Sequence, residues 1–183
     1  MSQDLPVTAY AILGLLTFGD ELTGYEIKQR ADLTLRFYWV SPAMSQVYSE
    51  LERLQELGLV RRHGDGRTSS YTLTRRGTTT LTRWLRETPV GFPVLKHPVA
   101  LRLLLGALVD PGTVTAMLRD HLEALEQERA DLEKVRISLQ GADRVGDSFR
   151  YPALVADWGL SYFDHERTII EDLLQRIEDE PGS

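Results

Sequence analysis

Five arginines fall between residues 61 and 76, at positions 61, 62, 67, 75 and 76, against one acid, Asp65. The local balance is +4 in a chain whose formal net charge is −6. Guanidinium groups at this density are donors for phosphate oxygens, the contacts from which sequence-independent nucleic-acid binding is built. Arg61, Arg62 and Arg67 are therefore candidates for phosphate or minor-groove contact. Just upstream, Ser45, Gln46 and Ser49 lie on the polar side of an amphipathic segment. A glutamine amide can pair bidentately with adenine and a serine hydroxyl can meet several bases, so these three are candidates for reading base edges. Tyr48, between them, is expected in the core by its helical spacing.

The elements that must position these residues are legible around them. Met44, Val47, Tyr48, Leu51, Leu54 and Leu57 recur at threes and fours, which predicts a helix with one buried face. Ser41 is the expected N-cap, Pro42 the first helical residue and Gly58 the stop. Residues 59–63 and 69–74 predict two strands around the Gly64-Asp65-Gly66 turn cluster. Upstream, Pro6 opens a nearly continuous apolar helix, and Thr23 caps a second helix with Tyr25, Ile27 and Leu33 inward. Three helices and a β-ribbon in about 70 residues are the outline of a winged helix, whose helix enters the major groove while the wing lies along phosphates.

The motifs in this half resemble the PadR family of bacterial transcriptional regulators. Tyr10-Ala-Ile-Leu-Gly-Leu-Leu, Leu22-Thr23-Gly24-Tyr25-Glu26-Ile27, the aromatics Phe37 and Trp39, Gln46-Val47-Tyr48, Leu51, Leu54, Leu57-Gly58-Leu59-Val60 and Tyr71-Thr72-Leu73-Thr74 before Gly77 carry it, in order, over roughly residues 8–85. Ser49 departs from the proline the family usually has after the tyrosine. The resemblance implies a homodimeric winged-helix repressor of a palindromic operator, its C-terminal helices forming the dimer. It also implies a small phenolic or flat hydrophobic effector, for which Trp39, Phe92, Trp158 and Tyr162, with Phe163, are the candidate aromatics. Domain joints lined by apolar groups favour such ligands.

From Arg75 to Glu87 a further helix is expected with Leu81, Trp84 and Leu85 inward, and Thr88 to Pro93 breaks the pattern. Residues 1–88 thus read as a winged helix-turn-helix DNA-binding domain, 89–97 as a linker and 98–183 as an α-helical, coiled-coil-like dimerisation domain. A short helix from Pro98 to Leu108 precedes a long one, 111–140, opened by Asp110-Pro111. Stepping from Leu118 by four and three gives Leu122, Leu125, Arg129, Leu132, Arg136 and Leu139, an a/d rhythm in which the arginine stems would lie on apolar surface and the heads reach acids. The last helix, about 152–178, carries Val155, Trp158, Tyr162, Ile169, Leu173 and Ile177 at similar spacing. Leu118, Leu122, Leu125, Leu132, Leu139, Trp158, Ile169 and Leu173 are the expected dimerisation residues.

Charge follows the same division. Residues 1–88 hold 11 basic and 10 acidic side chains, residues 89–183 hold 10 and 17, so the basic segment stands against an acidic C-terminal half. No catalytic constellation is present: the histidines 63, 97, 121 and 165 have no metal-ligand spacing along the chain, there is no glycine-rich phosphate loop and no nucleophile elbow. With no cysteine, disulfides and thiolate metal sites are excluded. The expectation is a mainly α fold with a small β-wing, without enzymatic activity, cofactor, metal or membrane segment. Its expected location is the bacterial cytoplasm, on the nucleoid when bound. Its expected partners are double-stranded DNA, a second copy of itself and a small aromatic effector. An alternative is a helical dimeric adaptor whose winged helix binds protein instead.

Overall fold

The computed structural model describes residues 5–19, 21–66, 69–92, 96–142 and 144–179. Two compact units result, Met1–Gly91 and Phe92–Ser183.

The first unit runs α1 (Val7–Leu15), β1 (Leu22–Thr23), α2 (Gly24–Thr34), α3 (Met44–Glu56), β2 (Val60–His63), β3 (Ser70–Leu73) and α4 (Arg75–Glu87). α1 is buried on several sides, with Ile12 and Leu13 fully enclosed, as its unbroken apolar run requires. α2 begins with a reciprocal cap in which Thr23 Oγ1 accepts the Glu26 amide and Glu26 Oε2 accepts the Thr23 amide at 2.7 Å. That carboxylate is held below the ordinary range, first by the Thr23 backbone donor and then by its hydroxyl.

Thr23 also belongs to a short edge strand that the sequence pattern does not predict. The sheet is antiparallel in the order β1-β3-β2, with Leu22 opposite Tyr71 and Arg62 opposite Tyr71 on the other side. The two wing strands fall within their expected ranges, and α4 keeps its expected limits. α3 ends at Gly58, whose φ of 68° suits the left-handed position. The amides of Gly58 and Leu59 return to the carbonyls of Gln55 and Leu54, the paired bonds of a Schellman stop.

Tyr25, Leu33 and Leu85, expected inward, face outward. α2 buries Gly24, Ile27 and Ala31, spaced by three and four, which rotates Tyr25 and Leu33 out to 57% and 59% exposure. On α4 the buried stripe is Gly77 and Leu81, with Trp84 half-buried and stacked on Tyr10 at 4.6 Å, so Leu85 projects outward. Ser41 does not cap α3. Its Oγ donates to Asp32 Oδ1 at 2.6 Å and accepts from Lys28 Nζ at 3.2 Å, tying the turn before α3 back to α2. The same two partners, Lys28 first, hold the Asp32 carboxyl below its usual range.

The second unit comprises α5 (Pro98–Leu104), α6 (Pro111–Ser138) and α7 (Arg150–Glu178). α5 stops earlier than expected and gives way to a 3-10 turn over Gly106–Leu108. Asp110 caps α6 as expected, its Oδ1 accepting the Thr113 amide at 2.9 Å. Bonds to Thr113, the side-chain one foremost, lower the Asp110 carboxyl. α6 and α7 pack antiparallel, with Arg119 bonded to Glu178, Arg129 to Asp164 and Arg136 to Asp157. The arginines that interrupt the leucine rhythm therefore reach acids across the helix pair, as their spacing anticipated. Val99, Val114, Leu118, Ile170 and Leu174 form one buried cluster of this unit, and Leu125, Leu132, Ala153 and Ala156 are buried further along the helix pair.

Candidate nucleic-acid interface

α3 has two distinct faces. Val47, Leu51 and Leu54 are fully buried, while Ser45, Gln46 and Ser49 are exposed on the side turned away from that core. The helix was expected to be capped by Ser41; instead Ala43 holds the N-cap position without a side-chain cap. Gln46 supplies the other half of a capping box, its Oε1 taking the Ala43 amide at 2.9 Å. Ser49 Oγ donates to the Gln46 carbonyl at 3.1 Å. Tyr48 is 38% exposed rather than core. Its ring lies so near Gly24 that a Cβ there would stand 2.6 Å from Tyr48 Cε1, which fixes the approach of α2 to α3.

The wing presents its arginines from two faces of the ribbon. Residues paired across an antiparallel ladder share a face, so Arg62, opposite Tyr71, shares the face of buried Val60, while Arg61, opposite Thr72, occupies the other. Both arginines are exposed. Arg62 Nη2 donates to the Gly66 carbonyl at 3.1 Å, bracing the turn. His63 Nε2 and Thr72 Oγ1, 2.9 Å apart, tie the strands on the outer face. Arg67 lies outside the described residues.

Two further arginines belong with this surface. Arg75 and Arg76 are exposed in the first turn of α4, where Thr74 Oγ1 accepts the Gly77 amide at 3.0 Å. Cations are disfavoured at a helix N-terminus, and a local choice that opposes its element often serves a function. The charge count included these arginines, but position within a helix singles them out.

The four effector candidates are all solvent-facing: Trp39 is 42%, Phe92 96%, Trp158 62% and Tyr162 42% exposed. A groove of about 360 Å³ on the α6–α7 pair is lined by Leu125, Arg129, Phe163 and Arg167 among others, and of the aromatics singled out in the sequence Phe163 contributes to it. The Tyr162 hydroxyl is pushed above its ordinary value, by burial first and by the Glu166 charge second. Among the expected dimerisation residues, Leu118, Leu125 and Leu132 are buried within the single chain. Leu122 and Leu173 are half-buried against the core of the helical unit. Leu139 is half-buried, while Trp158 and Ile169 remain exposed on α7.

Histidines that are far apart in sequence do meet in space. His97 Nε2 lies 2.8 Å and His121 Nε2 3.4 Å from Glu166 Oε1. These residues come from three helices, so no spacing along the chain reveals them.

Residues 12–83 match the transcriptional regulator PadR-like family, and residues 95–178 match the virulence activator alpha C-terminal family. A comparison with curated proteins gives no match. Among solved structures, Bacillus subtilis PadR in complex with operator DNA is similar at a TM-score of 0.79 and 26% identity, over 94% of this chain and 99% of that one. The same protein in complex with p-coumaric acid matches at 0.79 and 26%, over 95% and 100%. The PadR-like transcriptional regulator BC1756 of Bacillus cereus matches at 0.78 and 24%, over 93% and 97%. With both halves matched and the helix-and-ribbon unit in place, the chain belongs to the PadR-like family of transcriptional regulators.

Proposed function

We propose that this DNA-binding transcriptional regulator acts as a homodimeric repressor of a palindromic operator. The observation that carries the reading is the pairing of an exposed polar face on α3, Ser45, Gln46 and Ser49, with a ribbon bearing Arg61 and Arg62. In this reading the α3 face enters the major groove and reads bases, while Arg61, Arg62 and Arg67, with Arg75 and Arg76, hold phosphates. Residues 1–88 serve as the DNA-binding domain and 98–183 as the dimerisation domain, joined by 89–97. The operator complex of the Bacillus subtilis relative supports this assignment.

The partner copy would dock on apolar surface that one chain leaves uncovered. Trp158 and Ile169 on α7, with Leu154 at 53% and Val155 at 42% exposure, supply that surface. Leu118, Leu125 and Leu132 would act indirectly by fixing α7 on α6. A small aromatic effector, of the kind seen in the p-coumaric acid complex of the relative, would use Trp158 and Tyr162 and bias the separation of the two α3 helices. Trp39 and Phe92 are the further effector candidates. The protein would work in the bacterial cytoplasm by binding rather than by chemistry, without a catalytic residue.

Sedimentation of the full chain with a duplex from its own upstream region tests the reading. Two chains per duplex are expected. One chain per duplex, or a monomer as the free protein, would overturn the dimeric form.

A further inference from the structure

Two imidazoles and a carboxylate converge inside the helical unit. His97 is the N-cap of α5, His121 lies on α6 and Glu166 on α7. The side chains are 15%, 24% and 12% exposed, and the two rings stand edge to face with centroids 5.5 Å apart. One ligand-type atom from each residue falls within 4.8 Å of the others. His121 Nε2 is buried without a hydrogen-bond partner among the described residues, although it approaches Glu166 Oε1 at 3.4 Å. Folds rarely leave such an atom unsatisfied unless something else completes it.

We propose that His97, His121 and Glu166 form a binding site for one divalent transition-metal ion of the zinc class. Two imidazole nitrogens and one carboxylate oxygen suit such an ion and leave a further position for water or another ligand. Ligand atoms about 2.0–2.1 Å from a tetrahedral ion stand roughly 3.3 Å apart. The His121–Glu166 separation of 3.4 Å already has that value, and the His97–Glu166 contact of 2.8 Å must open slightly.

Protons also move. His97 Nδ1 accepts the Ala100 amide at 3.3 Å, so in the neutral ring the proton sits on Nε2 and is donated to Glu166. Coordination through Nε2 takes the other tautomer. The proton then resides on Nδ1, no proton is lost overall, and the long cap bond to Ala100 is given up. Loading the ion therefore exchanges one helix cap for three metal bonds that join α5, α6 and α7.

The test uses the full, untagged chain, stripped with chelator and exchanged into chelator-free buffer. Cobalt(II) is titrated and followed by its visible absorption, and zinc retained after gel filtration is measured by mass spectrometry. One saturable equivalent per chain is expected, weakened about tenfold or more in His121→Ala and in the near-isosteric Glu166→Gln, with the helical circular dichroism of Glu166→Gln unchanged. His165→Ala and His63→Ala, which remove histidines outside the cluster, should bind as the parent does. Absence of a one-equivalent site in the parent would overturn the proposal. So would equal binding by Glu166→Gln, or a loss in His165→Ala as large as that in His121→Ala.

Discussion

Gln46 Oε1 accepts the Ala43 backbone N–H at 2.9 Å, so the α3 side chain best suited to pairing with adenine also closes the first turn of its own helix. Bidentate pairing uses both the oxygen and the nitrogen of the amide. Reading a base in that way must therefore share or break the cap. Gln46→Ala should lose both roles. Stability in urea should fall by about 1 kcal/mol, the usual cost of a lost cap. Binding should become tolerant at one base position of the operator. Gln46→Glu keeps a capping oxygen and should retain stability while binding DNA more weakly.

Arg61 and Arg62 should behave differently from Gln46. Changing either to Ala should weaken binding to all sequences alike. The plot of log K against log salt should become shallower by about one for each phosphate no longer neutralised. Arg62→Ala also removes the bond to the Gly66 carbonyl, so it should loosen the wing turn, read as faster amide exchange at residues 62–66. Arg61→Ala should not.

The sequence revealed much of this arrangement because its signals are local. The α3 stripe of Val47, Leu51 and Leu54, the glycine stop at residue 58 and the Asp110 cap are each set by neighbours within one or two turns. What was hidden depends on contacts between distant segments. The strand at Leu22–Thr23 exists because Tyr71 and Ser70 offer a ladder partner. Tyr25 and Leu85 face outward because each helix buries its smallest residues, Gly24 and Gly77, against neighbouring elements. The His97–His121–Glu166 cluster needs three separate segments to assemble. Gln46 reaches back to the Ala43 amide because α3 starts at Met44, two residues later than Pro42 suggests, while Ser41 bonds to Asp32 on α2.

Gly77 is required by a close approach. A Cβ at this position would stand 2.0 Å from the Leu59 carbonyl oxygen, a backbone atom held by the start of β2. Leu59 O already accepts the Thr74 amide at 3.1 Å. Gly77→Ala should therefore destabilise the winged unit by about 2–4 kcal/mol through overpacking that no rotamer relieves. The expected result in thermal unfolding is a large drop in Tm, whereas Thr78→Ala, on the exposed side of the same turn, should stay within about 0.5 kcal/mol.

The bridge from Arg129 to Asp164 gives the helical unit a modest acid sensitivity. Its side-chain hydrogen bond lowers the Asp164 carboxyl below the ordinary value and raises the Arg129 guanidinium, with burial opposing both. A depressed carboxylate contributes stability that is present above its unfolded pKa, about 3.9, and lost as pH falls through the lower folded value. Both partners are partly exposed, so the contribution should stay below about 1 kcal/mol and shrink with salt. Asp164→Asn should flatten the acid limb of stability against pH by that amount.

The outer face of α7 should govern assembly. Trp158→Glu or Ile169→Glu places a charge on apolar surface that the proposed dimer covers, and either should shift sedimentation from dimer to monomer with helicity retained. Leu132→Ala should instead lower stability, by about 2–5 kcal/mol, because that side chain is fully buried within one chain.

Specific DNA binding is assigned to α3 and the wing. Its most direct test is a titration of the full chain with a duplex from its own upstream region, at several salt concentrations, against excess random DNA. Competitor-resistant binding is expected, falling steeply with salt and losing its preference for that duplex in Gln46→Ala. Affinity equal to that for random DNA across tiled upstream duplexes, unaffected by Arg61→Ala with Arg62→Ala, would contradict it and favour a winged helix that binds protein.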